Sequence, residues 1–411
     1  GLGYVGLSVA QGACRSGMKV TGLDVDERLV SDLGRGISHI DDISDADLGE
    51  MIEAGFTATT DSSRLRDADV VVICVPTPLD EDKNPDLSAV LSAARSIGAH
   101  LQPGALVVLE STTYPGTTED RVRPILEDGS GLIAGVDFAL AYSPERIDPG
   151  NQTWRFRNTP KVVGGLTDDC LGRAVGFYEQ LVDTVVPTTG LREAEFGKLL
   201  ENTYRHVNIA LMNEMAIFCH ESGIDLWEAV NAAATKPFGF QAFRPGPGIG
   251  GHCIPIDPNY LSWVARSVGY RLRFVELAQE VSERMPAYVA RRIQDALNSQ
   301  GKPVKGSHVV LAGVTYKANV GDQRETPARP LAMILHGQGA RLSYVDPHVD
   351  RFEVDGCDLE RIIDLHAAVE GADIMVFLQA HDEFLAVGAV ASAHCVLDTT
   401  GQIDSPNVER L

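Results

Sequence analysis

The 411-residue chain has no apolar run long enough to span a bilayer. Its longest, such as Val70–Val75, fall far short of the roughly 20 residues a membrane helix requires. It also lacks a long basic run: 35 Lys and Arg stand against 57 Asp and Glu, a net charge of −22. DNA, RNA and anionic membrane surfaces are therefore poor partners. No C-x-x-C and no zinc-like spacing joins the seven cysteines Cys14, Cys74, Cys170, Cys219, Cys253, Cys357 and Cys395. An odd, scattered set fits a reducing, cytoplasmic setting and no metal site. No charged-then-apolar leader is present, and the chain opens on a glycine loop, a device that normally follows a strand. The expectation is that roughly ten residues precede Gly1 in the whole protein. What is there, 44% hydrophobic residues and a mean hydropathy of −0.03, reads as a soluble globular protein. Its length suits two or three domains.

Short β-branched runs alternate with helical stretches up to about Gly190: Lys19–Asp24, Val70–Val75, Leu106–Ser111, Phe138–Ser143, Lys161–Gly164 and Thr184–Thr188. Six such strands predict a parallel sheet in an α/β domain. From Leu191 to Gly223 there is no proline, and Phe196, Leu199, Leu200, Val207, Leu211 and Met215 recur mostly at three- or four-residue steps. This predicts an amphipathic helix about 45 Å long. In Pro237–Pro258 ten of 22 residues are Gly or Pro, so no helix or paired strand is expected there, and a long irregular loop is a functional suspect. A second helix is predicted over Phe274–Ser299. Strands then resume at His308–Gly313, Arg341–Asp346, Asp373–Leu378 and Cys395–Asp398, in a smaller α/β domain beginning near Lys302.

Gly1, Gly3 and Gly6 form G-x-G-x-x-G ahead of a plausible helix, and Asp24 ends the next strand. The glycines let a pyrophosphate approach the helix N-terminus, with Tyr4 and Val5 in its first turn. Asp24 can accept both ribose hydroxyls of an adenosine and repel a 2′-phosphate. The pattern predicts a Rossmann-like domain that binds NAD rather than NADP; a glycine turn that merely packs a helix on a sheet is the alternative.

Cys253 lies in Gly250-Gly-His-Cys-Ile-Pro-Ile-Asp-Pro258, where flanking glycines free the backbone to bring a thiol to a ligand and Asp257 could steady a water. A buried structural cysteine is equally consistent with that spacing, and His252 reads as a shape or substrate residue. Lys198 and Asn202, four apart, share a helix face and could stabilise an oxyanion. Polar clusters at Val75-Pro-Thr-Pro78, Ser111-Thr-Thr113 and Ser143-Pro-Glu-Arg146 follow apolar strands, where ligands of parallel sheets bind.

Together these segments resemble the UDP-glucose/GDP-mannose dehydrogenase family, whose members oxidise C6 of a nucleotide sugar to a carboxylate with two NAD. The likeness spans the chain, through Gly1–Leu7, Val75–Pro78, Glu110–Thr112, Ser143–Glu145, Lys198–Asn202, Gly250–Cys253 with Asp257, and Tyr316-Lys-Ala-Asn-Val-Gly-Asp-Gln-Arg324. The resemblance implies Cys253 as covalent nucleophile, Lys198 and Asn202 steadying the oxyanion, Asp257 with Thr112 orienting water, and Glu145 as an active-site carboxylate. It places Thr77, Thr112 and Arg324 at NAD. It places Gly250, Tyr316 and Lys317, with Glu145, Lys198 and Asn202, at the nucleotide sugar. The implied architecture is two Rossmann-like parallel-sheet domains joined by a long central helix and helical middle region. Residues 1–190 would bind NAD, 191–300 would carry the dimer helix and catalytic loop, and 301–411 would bind UDP, in a homodimer or higher homo-oligomer.

Glucose-specific members place Lys where this chain has Ile256. The stretch Gly251–Trp263, with Ala234-Thr-Lys-Pro-Phe-Gly239, looks like the branch acting on UDP-N-acetylglucosamine. UDP-glucose or dTDP-glucose is the alternative substrate. A one-step hydroxyacid-type dehydrogenase, which needs no cysteine, and a non-catalytic nucleotide-sugar-binding protein are the competing functions.

Overall fold

The computed structural model describes every residue except 41, 149, 152, 252, 387–389, 391–392 and 404–406, so His252 lies outside the described residues. The chain divides into two compact units, Gly1–Glu201 with Asn259–Tyr270, and Asn202–Pro258 with Arg271–Leu411.

The first unit opens with α1 (Tyr4–Arg15), β1 (Thr21–Leu23), α2 (Glu27–Gly34), α3 (Asp45–Glu53) and β2 (Thr57–Thr59), and β1 pairs in parallel with β2. β3 (Val70–Ile73), β4 (Leu106–Leu109), β5 (Ala139–Tyr142), β6 (Lys161–Gly165) and β7 (Val185–Pro187) form a five-stranded sheet in that order. Its connecting helices are α4 (Ser88–Gly98), α5 (Arg123–Ser130) and α6 (Asp168–Tyr178). The expected six-stranded parallel sheet is corrected in two respects. β1 pairs with β2, a short polar strand that leaves no apolar run in the sequence. β5 and β6 run antiparallel, because residues 143–160 hold no helix among the described residues and a parallel return needs a crossover, usually a helical one.

All of β4 is buried: Val107 and Leu109 enter one apolar cluster, Leu106 and Val108 another. This period of two, apolar on both faces, is why the strand reads as a continuous apolar run. Because β3, β4 and β5 are parallel neighbours, Val75–Pro78, Ser111–Thr113 and Ser143–Glu145 all leave the same edge of the sheet.

The predicted long helix is α7 (Leu191–Ser222), whose residues from Asn202 onward belong to the second unit. Its apolar residues do not make one buried face. Leu199 is fully buried, whereas Phe196, Leu200 and Leu211 are exposed, because much of the buried side is polar: Glu195, Lys198, Thr203, His206 and Asn213.

The second unit continues through α8 (Leu226–Ala234) to residues 237–256, which form neither helix nor strand among the described residues, as the Gly and Pro density predicts. α9 (Asp257–Ser267) and α10 (Arg273–Ser299) follow. An all-parallel sheet is then built from β8 (His308–Ala312), β9 (Arg341–Val345), β12 (Glu360–Arg361), β13 (Ile374–Phe377), β14 (Val396–Asp398) and β15 (Val408–Arg410), with a small hairpin of β10 (Glu353–Val354) and β11 (Cys357–Asp358). Val309 and Leu311 pack with Met285, Val289 and Ile293 of α10 and with Leu331 and Leu335 of α11 (Ala328–Gly337). Val310 and Ala312 face the opposite cluster, with Ala368 and Val369 of α12 (Leu365–Gly371) and Phe384 of α13 (Asp382–Ala386). No helix among the described residues is long and apolar enough to cross a membrane.

Candidate active site

In the first unit the three loop glycines have different reasons to be glycine. A Cβ on Gly1 would lie 2.5 Å from the Cys74 carbonyl oxygen, and one on Gly6 would lie 1.9 Å from the Gly1 carbonyl oxygen, so both are fixed by close packing. A Cβ on Gly3 would meet nothing within 4 Å. That open side faces the start of α1, where Gly3 is the N-cap, no side chain caps the helix, and no acid occupies the first turn with Tyr4 and Val5. Uncapped N–H groups and open space suit a pyrophosphate. Asp24, after β1, accepts the Leu2 N–H at 2.7 Å and the Asp26 N–H at 3.0 Å. Its carboxylate thus holds the glycine loop in place at the strand end where a ribose is expected, and the residues fit NAD.

Ser111 Oγ donates to the Val75 carbonyl at 2.7 Å, tying the turn after β4 to the loop that carries Thr77. Tyr260 of α9, fully buried, donates its hydroxyl to the Thr77 carbonyl at 2.5 Å. Glu145 and Lys198, both buried, form an ion pair at 3.5 Å, and Glu145 also accepts the Ile147 N–H. Glu145 and Lys198, 53 residues apart and both implied by the resemblance at the nucleotide sugar, are thus in contact. Arg146 next to it donates to the Pro160 carbonyl at 2.8 Å and pairs with Glu201.

Two buried groups escaped the sequence reading. Lys161 Nζ sits 2.8 Å from Glu110 and 3.3 Å from the Pro144 carbonyl, while the Tyr178 hydroxyl donates to Glu110. This joins the end of β4 to the turn that carries Glu145. Burial, reinforced by the Glu110 charge, drives the Tyr178 hydroxyl well above its ordinary range and keeps it a donor. Glu195, one turn before Lys198, is fully buried and accepts from Gly116 N at 2.5 Å, Thr118 N at 2.9 Å and Thr118 Oγ1 at 2.7 Å. It anchors the segment that follows Thr112. Burial pushes its carboxyl up to about 7 against those hydrogen bonds and the Arg192 charge, which pull it down. The available signal was a carboxylate three residues from Lys198 on the helix.

In the second unit the Asn202 amide donates to Asp257 at 2.5 Å, and Asp257 is 2% exposed. The Cys253 carbonyl accepts N–H groups from Ile256 at 3.1 Å and Asp257 at 2.8 Å, a turn that runs into α9. Asp257 and Pro258 suit the helix start, an acid toward the positive end of the dipole and a proline where no N–H is needed. Cys253 itself is half-buried. A Cβ on Gly250 would lie 2.7 Å from Tyr316 Cβ, Gly251 adopts φ +90° against the Tyr316 ring, and Gly251 N donates to the Arg324 carbonyl at 3.3 Å. The cysteine loop and the Tyr316–Arg324 segment are thus in direct contact. Arg324, expected at NAD, pairs here with Asp322. The Lys317 carbonyl accepts from Thr315 Oγ1 at 2.8 Å. Lys198 and Asn202 follow each other by one turn of α7, as their spacing predicts.

Three consecutive parts of the chain match models of the UDP-glucose/GDP-mannose dehydrogenase family: the NAD binding domain over residues 1–182, the central domain over 192–284 and the UDP binding domain over 310–405. The chain belongs to this family. UDP-N-acetyl-D-glucosamine 6-dehydrogenase of Pseudomonas aeruginosa is 36% identical over 393 residues, covering 95% of this chain and 91% of that protein. UDP-N-acetyl-D-mannosamine dehydrogenase of Pyrococcus horikoshii is 36% identical over 391 residues, covering 94% and 90%. The solved structure of UDP-D-ManNAc dehydrogenase from Pyrococcus horikoshii matches with a TM-score of 0.91 at 32% identity, over 100% of this chain and 97% of that one. This UDP-glucose/GDP-mannose dehydrogenase family member is an NAD-dependent nucleotide-sugar dehydrogenase, an oxidoreductase with Rossmann-type domains. NAD is its cofactor.

Proposed function

We propose that the enzyme oxidises the C6 alcohol of UDP-N-acetylglucosamine to the uronic acid, with Cys253 as covalent nucleophile. The observation that carries this reading is the Cys253–Asp257 turn, built with its carboxylate fixed by Asn202 and its glycines pressed on Tyr316. The glycine loop and Asp24, with Thr77, Thr112 and Arg324, would hold NAD, which would supply the hydride acceptor for both oxidations at C6, the alcohol proton passing to solvent. Cys253, its thiol proton passed to solvent, adds its sulfur to the C6 aldehyde, forming a C–S bond as the carbonyl π pair moves to oxygen, and Lys198 and Asn202 donate to the resulting oxyanion. After the second oxidation the thioester is opened by water that Asp257 and Thr112 orient, releasing the carboxylate and returning the proton to sulfur. Glu145, paired with Lys198, sets the lysine's position and contacts the sugar. Tyr316, Lys317 and Gly250 hold the nucleotide sugar.

Residues 1–190 serve NAD, 191–300 the catalytic loop and self-association as a homodimer or larger homo-oligomer, and 301–411 UDP. The free cysteines and the cofactor suit a cytoplasmic enzyme. UDP-N-acetylmannosamine is the second reading, favoured by the structural match to an enzyme named for that sugar; Ile256 speaks against UDP-glucose. A panel of nucleotide sugars, scored by NADH formed and product mass, tests the assignment. The expected result is two NADH per acid with UDP-N-acetylglucosamine and no free aldehyde. One NADH per product would replace it with a one-step dehydrogenase.

A further inference from the structure

The segment after β8 carries Tyr316 and Lys317, and it is held by a buried imidazole that no step of the proposed reaction uses. His381 and Asp346 are both essentially inaccessible to solvent. His381 Nε2 lies 3.2 Å from Asp346 Oδ2, and His381 Nδ1 lies 2.8 Å from the Asn319 nitrogen. A backbone N–H can only donate, so Nδ1 must be the unprotonated nitrogen. The ring then carries its proton on Nε2 and gives it to Asp346.

Asp346 also accepts the Val314 N–H at 2.7 Å and the His348 N–H at 2.8 Å. Burial raises its carboxyl, but the hydrogen bonds from His381 and from those two N–H groups help hold it below the usual carboxylate range. The Asn319 side-chain oxygen accepts the Asp382 N–H at 2.9 Å, while Asn319 sits at φ +61°. Gln379 donates to the Tyr316 carbonyl at 3.1 Å. Both ends of the Val314–Asn319 segment are thus fastened to the Asp346 turn and to residues 379–382, with His381 at the junction.

We propose that His381 is a positioning residue for the substrate's nucleotide: its neutral ring locks the Val314–Asn319 segment, and uptake of a second proton on Nδ1 releases it. The inference rests on the reading that Tyr316 and Lys317 hold the nucleotide sugar. Protonation sets an N–H of the ring against the Asn319 N–H while strengthening the pair with Asp346, so the ring keeps its carboxylate and loses its grip on the segment. Among the described residues, His348, whose ring centroid is 4.8 Å away, and Glu383, 3.7 Å from His348 Nε2, are titratable groups beside the ring. The Phe384 ring packs edge-on against His381 at 5.2 Å.

Binding of UDP to the full chain, measured by titration calorimetry between about pH 8 and about pH 5.5, tests the proposal in the wild type, His381→Phe, His381→Gln and His348→Gln. A glutamine can accept from Asn319 and donate to Asp346 but cannot titrate. His381→Phe should bind UDP at least about tenfold more weakly at pH 8, a loss of about 1.4 kcal/mol, with NAD affinity unchanged. His381→Gln should bind like the wild type at pH 8 and hold its affinity as the pH falls, whereas the wild type and His348→Gln lose it. Comparison at equal pH cancels the titration of UDP's own phosphate. UDP binding by His381→Phe equal to the wild type, or a His381→Gln profile that follows the wild type, would overturn the latch. If His381→Phe does not fold, the His381→Gln profile still decides. No UDP binding by the wild type at any pH would overturn the nucleotide-site assignment itself, and the latch with it.

Discussion

The proposed covalent role of Cys253 calls for a fixed backbone and a placed neighbour, and the structure supplies a turn from the Cys253 carbonyl to Asp257 and an Asp257 carboxylate held by the Asn202 amide. Cys253→Ser keeps size and polarity, but a hydroxyl ionises far less readily than a thiol. Turnover should fall by several orders of magnitude while NAD and UDP binding change little. Cys253→Ala should abolish acid formation; retention of more than about a tenth of wild-type turnover, a barrier change below about 1.4 kcal/mol, would make the cysteine structural. Asp24 carries a second expectation. Its carboxylate already accepts the Leu2 N–H, so it cannot swing away from a 2′-phosphate without loosening the glycine loop. NAD should be preferred over NADP at least about tenfold in kcat/KM. Equal efficiencies would mean that a cation such as Arg28 neutralises the added phosphate.

Elements whose burial follows a simple period were legible in the sequence, and those fixed by long-range polar contacts were not. β4, β8, β13, α7 and α10 fall within a few residues of their predicted positions because apolar side chains at steps of two or of three and four mark them. β2, β12 and β15 are two or three residues long and not fully buried, so no run announces them. The Lys198–Asn202 spacing and the Gly/Pro loop around Cys253 showed the candidate site locally. The partners Glu195, Lys161 and His381 come from 35 to 79 residues away and could not be paired by spacing. Glu195 gives a test at this scale. A carboxyl raised from 4.5 to about 7 favours the folded state when protonated by about 3 kcal/mol. That advantage is fully present below about pH 4.5 and is lost as the pH rises through about 7. Chemical denaturation of Glu195→Gln beside the wild type should therefore show the stability difference moving in favour of the variant between about pH 5 and about pH 8. A constant difference would mean that Glu195 does not titrate there. The Glu110–Lys161 pair behaves differently, because removing one partner strands a buried charge. Lys161→Met should cost about 3–5 kcal/mol by the same measurement, and adding Glu110→Gln should restore part of it.

At the scale of the molecule, α7 carries an exposed apolar stripe. Phe196, Leu200, Tyr204, Leu211 and Phe218 are between 42% and 57% exposed and recur at steps of four and seven, one side of a single helix. Such a stripe suits the self-association proposed above, for which a second copy of the same helix would offer the matching surface. Two such chains each carry a net charge of −22, so apolar burial must overcome mutual repulsion. Salt screens that repulsion and leaves apolar burial intact, which fixes the sign of the effect. Light scattering should find a dimer or larger assembly in the wild type that dissociates at higher concentration in low salt than in high salt. Leu211→Glu with Phe218→Glu, well along the helix from Lys198 and Asn202, should give monomers with unchanged helix content. A wild type that remains monomeric at high salt, or a double variant that still assembles, would show that α7 is not the contact.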